Sequence, residues 1–206
     1  MYRQWVAQTK HDVRSEATRR QLVTAARALF GARGYAEVGT EEIVRVAGVT
    51  RGALYHQFRD KAELFAAVAE EIESEIAGLI TTGATGAADA GADPLQVLRT
   101  GAQLFLDACA EPEVERVILL DAPAVMGVAA WRELAGRYGL GLVQLALESA
   151  MDVGAITRQP VPPLAHVLVG ALEESALYIA RADDPDTARG QCLAIFDQLL
   201  GGLSAH

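Results

Sequence analysis

The chain has 206 residues, 51% of them hydrophobic; this length holds one small and one larger domain, and no apolar run reaches the roughly 20 residues of a membrane span. The formal net charge of −9 argues against a nucleic-acid partner for the whole chain, but residues 1–62 carry eleven Lys and Arg against six Asp and Glu, whereas residues 63–206 carry seven against twenty-one. Two distant cysteines, Cys109 and Cys192, make neither a disulfide framework nor a metal site, and the charged opening to Arg14 lacks the apolar core of a secretory signal, so a cytoplasmic protein is expected.

Apolar residues recur at helical spacing almost throughout and no segment alternates as a strand does, which predicts an all-α fold. The first clear helix is expected over 15–33, with Leu22, Ala26, Leu29 and Phe30 buried and Gly34 closing it in a left-handed conformation. Thr40 reads as the N-cap of a short second helix that turns Ile43, Val46 and Ala47 inward and stops at Gly48. Thr50 reads as the N-cap of a third, over 51–58, and Asp60 with Glu63 as a capping-box start for a fourth, over 61–80. The Gly, Ala and Thr-rich stretch 81–93 is expected to be a flexible connection. Asp93 and Pro94 open a helix to about Ala110; a short segment covers 113–121, and Pro123 to Gly127 breaks the pattern. Longer helices are expected over 129–151, 164–181 and 186–200.

The second and third helices, joined through Ala47, Gly48, Val49 and Thr50, have the proportions of a helix-turn-helix, whose second helix enters the DNA major groove. Leu54 and Phe58 fall one turn apart as a buried anchor, and Arg51, Gly52, Tyr55 and His56 share an adjoining arc of about 140°. Arg51 suits guanine, Gly52 permits close backbone approach, and Tyr55 and His56 reach phosphates or base edges. Thr40, Thr50 and Lys61 are the expected phosphate-positioning residues. The basic head, residues 1–62, is therefore a candidate three-helix DNA-binding domain, and residues 63–206 a larger helical body.

The segment from Thr18 to Phe65 reads TRRQLVTAARALFGARGYAEVGTEEIVRVAGVTRGALYHQFRDKAELF, and with its core string VAGVTRGALYHQFRDKAELF over 46–65 it resembles the TetR family of bacterial regulators. The resemblance implies DNA-binding roles for Thr50, Arg51, Gly52, Tyr55, His56 and Lys61. Gly39 departs from the pattern, since such proteins often carry Thr or Ser just before the second helix. For the body the resemblance implies a ligand-binding and dimerisation domain, and for the whole a dimer that leaves a palindromic operator when an effector binds.

In the last two helices, Leu164, Leu168, Ala171, Leu172, Ser175 and Tyr178 form one stripe and Ala188, Cys192, Ile195, Leu199 and Leu203 another, as a homodimer seam requires. The middle helices supply apolar pocket walls, so the expected effector is apolar or aromatic; Phe105, Asp121, Met126, Trp131, Tyr138, His166, Glu174 and Tyr178 are the candidate ligand-binding residues. No cofactor and no catalytic residue is expected, because nucleophile elbow, phosphate-binding glycine loop and metal-spaced His/Glu cluster are all missing. The rival readings are a ligand-independent DNA-binding regulator or activator and, with only Asp121 and His166 to support it, an enzyme acting on a hydrophobic substrate.

Overall fold

The computed structural model describes residues 2–204, with side chains from Val13 onward. Every extended element among them is helical, and one isolated antiparallel bridge joins Ile156 to Ser204.

Helix α1 (Tyr2–Arg33) starts well before the expected Ser15, since residues 2–14 contain neither Gly nor Pro to stop it. It buries Leu22, Ala26 and Phe30, and Gly34, at φ 83°, ends it by donating its N–H to the Phe30 carbonyl at 2.7 Å. Helix α2 (Thr40–Ala47) corrects the expected cap: Gly39 is the N-cap and makes no side-chain bond, so Thr40 is the first helical residue. Ile43 is buried as expected, but Val46 is 49% exposed and faces outward. Helix α3 (Arg51–Gln57) follows Gly48, whose φ of 68° supplies the left-handed turn.

Helix α4 (Lys61–Asp89) is capped by Asp60, whose Oδ1 accepts the Glu63 N–H at 2.8 Å, while the Glu63 carboxylate reaches back to the Arg59 N–H at 2.6 Å. It continues nine residues past the expected end, through the stretch taken for a flexible connection. Alanines favour the helix, Thr81 and Thr82 return their hydroxyls to the Ala77 and Gly78 carbonyls, and a Cβ on Gly83 would overlap Leu104 of the next helix. Glycine here marks close helix packing; the turn is confined to 90–93.

Helix α5 (Pro94–Cys109) has the expected Asp93 cap, which accepts the Gln96 N–H at 2.9 Å. After α6 (Pro112–Val114) the chain widens into a π-helix over Glu115–Asp121. Pro123, in the first turn of α7 (Ala122–Met126), lacks an N–H and would crowd the Leu119 carbonyl of a regular helix; in the wider turn Ala122 donates to the Val117 carbonyl instead. The region expected to break the pattern is thus largely helical. Helices α8 (Val128–Asp152), α9 (Val161–Ala180) and α10 (Pro185–Gly201) complete the body.

One continuous buried cluster runs from Leu22 to Leu200. Its first part joins α1 to α4: the Phe65 ring lies 5.4 Å from Phe30 and 5.3 Å from Tyr35. Polar ties close the same junction, with the Asp121 carboxylate accepting the Tyr35 N–H at 2.7 Å and Arg27 of α1 bonded to Glu71 and Glu75 of α4 and to Glu113 of α6. In the body, Arg99 pairs with Asp197 at 3.0 Å and Arg189 with Asp107, holding α10 against α5. Of the α9 stripe expected at a homodimer seam, Leu168 and Leu172 are buried inside the subunit and Tyr178 is exposed, while Val167, Gly170 and Glu174 also face outward.

Candidate nucleic-acid interface and effector cavity

Helix α3 is held from beneath by fully buried Leu54 and by Phe58, over which the Arg19 guanidinium stacks at 4.5 Å. Gln57 adds a bond to the Ser15 hydroxyl at 2.7 Å, fixing α3 against α1. Its outer side presents Arg51, Gly52, Tyr55 and His56 together, all exposed, as the sequence arc anticipates. Arg51 lies 5.6 Å from the Tyr55 ring and donates to Glu41 at 3.2 Å; with both partners largely exposed, that pair is readily exchanged for another anion.

Thr50 has the expected capping geometry, its hydroxyl accepting the Ala53 N–H at 3.2 Å. Thr50→Ala is expected to lower the unfolding free energy by about 1 kcal/mol, read from the denaturant midpoint. Thr40, at the start of α2, leaves its hydroxyl free of the cap. Lys61 is differently placed from a free point charge: its ammonium donates to the Tyr35 and Val38 carbonyls at 2.9 and 3.0 Å and sits 3.9 Å from the Tyr35 ring centre. It therefore clamps the connection between α1 and α2. Exposed Arg45 and Val46 on α2 also flank the turn and were not among the expected contacts; their outward orientation depends on how α2 rolls onto α1.

The eight residues expected around a ligand divide between several places. Phe105 and Tyr138 line an apolar cavity of about 70 Å³ between α4, α5, α8 and α9. Trp131, His166 and Glu174 line a neighbouring, more polar groove between α8 and α9, which meets the cavity at Val169 and Glu173. The Trp131 indole N–H is buried there without a partner among the described residues. Tyr178 stands exposed on α9, Met126 packs partly buried against the core outside both spaces, and Asp121 is engaged at the junction with Tyr35.

The cavity also contains two acidic residues absent from the expected set, Glu73 and Glu173. Glu73 is 6% exposed, and its apolar surroundings, reinforced by the charge of Glu173, push its carboxyl up to about 7. Burial also raises Glu173, opposed by Arg132 and His166. The missed signal is periodicity: Glu73 shares a helical stripe with Ala69, Ile76 and Ile80, and Glu173 shares one with Val169 and Ala176. Cys109 is buried core, and no group of His, Cys, Asp and Glu among the described residues is arranged to hold a metal.

An anchored, outward-facing second helix of a helix-turn-helix, mounted on an all-helical body with an internal cavity, defines a DNA-binding regulator. The chain belongs to the TetR family: residues 22–68 match the model of bacterial regulatory proteins of the tetR family, and residues 95–203 that of the tetracyclin repressor-like C-terminal domain. The crystal structure of a TetR-family transcriptional regulator from Pectobacterium atrosepticum superposes with a TM-score of 0.82 at 32% identity, covering 94% of this chain and 97% of that one. The HTH-type transcriptional regulator AcrR of Shigella flexneri is 34% identical over 105 residues, which is 51% of this chain and 47% of AcrR, so that match spans about half of either protein. The transposon Tn10 TetC protein of Escherichia coli is 25% identical over 88% of this chain and 89% of its own length. Among the described residues no helix is long and apolar enough to cross a membrane.

Proposed function

We propose that the protein is a repressor that binds an inverted-repeat operator as a homodimer and releases it when a small-molecule effector enters the helical body. The observation that carries this reading is the exposed face of α3, where Arg51, Gly52, Tyr55 and His56 stand clear while Leu54 and Phe58 fix the helix from below. On DNA, Arg51 exchanges Glu41 for a guanine edge, Gly52 admits the backbone, and Tyr55 and His56 reach phosphates or bases. Thr40 and Thr50 contact phosphate at the starts of α2 and α3, and Lys61 positions the connection behind them. Residues 1–62 act as the reading domain and 63–206 as the sensing and dimerising one.

Val167 and Tyr178 on α9, with Ile195 and Leu199 on α10, are large apolar side chains at least half exposed, and the small Gly170 and Ala171 lie beside them. Pairing these two helices with their copies buries that face in a four-helix seam. An effector larger than the cavity of about 70 Å³ separates the surrounding helices as it enters. Because α4 lends Ile76, Ala77 and Ile80 to the cavity and packs Phe65 against Phe30 and Tyr35 at the end of α1, its displacement carries the event to the reading heads. The effector then favours the state in which the heads no longer match two half-sites.

Selection from a random duplex pool, followed by salt-titrated binding, tests the reading. An inverted repeat should be enriched, Arg51→Ala should bind it about tenfold less tightly with relaxed preference at one base position, and Tyr55→Phe should weaken it less. No enrichment at low salt would defeat the proposal.

A further inference from the structure

The cavity has a chemical asymmetry that its size and apolar lining do not explain. Against walls that include Ile76, Ile80, Phe105 and Leu172 it sets two carboxyl groups, Glu73 from α4 and Glu173 from α9, and no basic side chain. Glu73 is more than nine-tenths buried, faces the cavity, and enters no hydrogen bond or ion pair among the described residues. Isolated carboxyls are costly in such surroundings unless something neutralises them. Tyr138, the phenol nearest the site, is turned to Glu70, to which it donates at 3.2 Å. The cavity lining offers neither acid a positively charged partner, so a cation entering from outside would meet both.

Ligand classes differ sharply in what they gain there. An anion is repelled by the pair. A neutral apolar molecule fills the walls but leaves the acids as they are. An organic cation gains the same burial, brings the missing positive charge, and finds the Phe105 and Tyr138 rings at the same site. The adjoining groove shares Glu173 with the cavity and adds Glu133 and Glu174 beside Arg132 and His166, so the approach is acid-rich as well.

We propose that the cavity takes a lipophilic amine, its apolar body among Ile76, Ile80 and Phe105 and its ammonium between the Glu73 and Glu173 carboxylates. This rests on the reading of the body as an effector sensor and names the class of effector. Because the ammonium requires Glu73 ionised, binding below about pH 7 expels a proton from it, and affinity rises from pH 6 to pH 8. The groups facing Glu73 are Glu173 on α9, Tyr138 on α8 and Cys109 on α5; burial holds the last two protonated through that range, while Arg132 and His166 act on Glu173.

The test is calorimetric titration of the full chain with 2-phenylethylamine, 2-phenylethanol and phenylacetate, alongside release of the selected operator. The amine should bind at least tenfold more tightly than the alcohol, phenylacetate should not bind, and Glu73→Gln and Glu173→Gln should each weaken the amine tenfold or more while leaving the alcohol within twofold. Glu73→Gln should also abolish the rise in amine affinity between pH 6 and 8. Equal or tighter binding of the alcohol, or an amine affinity within twofold in Glu73→Gln, overturns the inference; if the alcohol then releases the operator, the sensor reading survives. Binding of none of the three by a protein that still holds its operator, with release by none, overturns the inference and the sensor reading together.

Discussion

Arg27→Ala should lower the unfolding free energy by about 2–3 kcal/mol near pH 7 and loosen the head from the body, because one guanidinium joins three elements. It donates to both oxygens of Glu75 at 2.7 Å, to both oxygens of Glu113 at 2.9 and 2.8 Å, and to Glu71 at 3.1 Å. Fork-shaped pairing of this kind is stronger than a single surface ion pair, and Arg27 is mostly covered although Glu71 and Glu75 are not. Glu75 first, then Glu113, holds the guanidinium proton far more tightly than usual. Removing Arg27 leaves three carboxylates facing one another.

The sign of the pH dependence follows from Glu75, whose carboxyl the Arg27 bonds hold below its ordinary value. A depressed acid contributes stability above its unfolded pKa and loses it as pH falls through the folded one. The difference between wild type and Arg27→Ala in urea should therefore be largest at neutral pH and shrink below about pH 4.5, the ordinary value for Glu. Salt should also narrow it, and Arg27→Lys should recover less than half, since an ammonium cannot reproduce the two forks. A difference below about 0.5 kcal/mol at pH 7 would mean the clamp holds nothing. In operator binding, Arg27→Ala should retain affinity without effector and respond less to it.

What could be read in the sequence was local. Thr50, Asp60 and Asp93 announce helix starts through their own neighbours, and Leu54 with Phe58 declares the inner side of α3 by spacing alone. Gly83 could not be read that way, because the reason for its lack of a side chain is Leu104 on another helix. The orientation of Leu168 on α9 could not be read for a similar reason: Leu168 and Val167 are adjacent and both apolar, and only the packed body decides which of them turns outward. Residue type selected Trp131, His166 and Glu174 as ligand contacts, whereas the cavity is defined by which sides of four helices converge. Glu73 was legible in principle, as an acid in an apolar stripe, but an acid there is easily taken for an interruption of the pattern.

That acid should make Glu73→Gln more stable than wild type above neutral pH, by an amount approaching about 3 kcal/mol if the whole displacement of its carboxyl is expressed. The folded protein holds the Glu73 proton up to about pH 7, whereas the unfolded chain gives it up near the ordinary 4.5. Between those values the unfolded state binds fewer protons, so wild-type stability from this group is complete below pH 4.5 and declines as pH rises to 7. Glutamine keeps the shape and does not ionise, so the variant should match wild type within about 0.5 kcal/mol near pH 4.5, diverge as pH rises to about 7 and level off by pH 8 in chemical denaturation. A gap independent of pH would place its cause in packing rather than charge. The stability that wild type gives up by keeping an acid at this position is what an ammonium in the cavity would restore, so the variant that is hardest to unfold at pH 8 should also be the one an amine stabilises least.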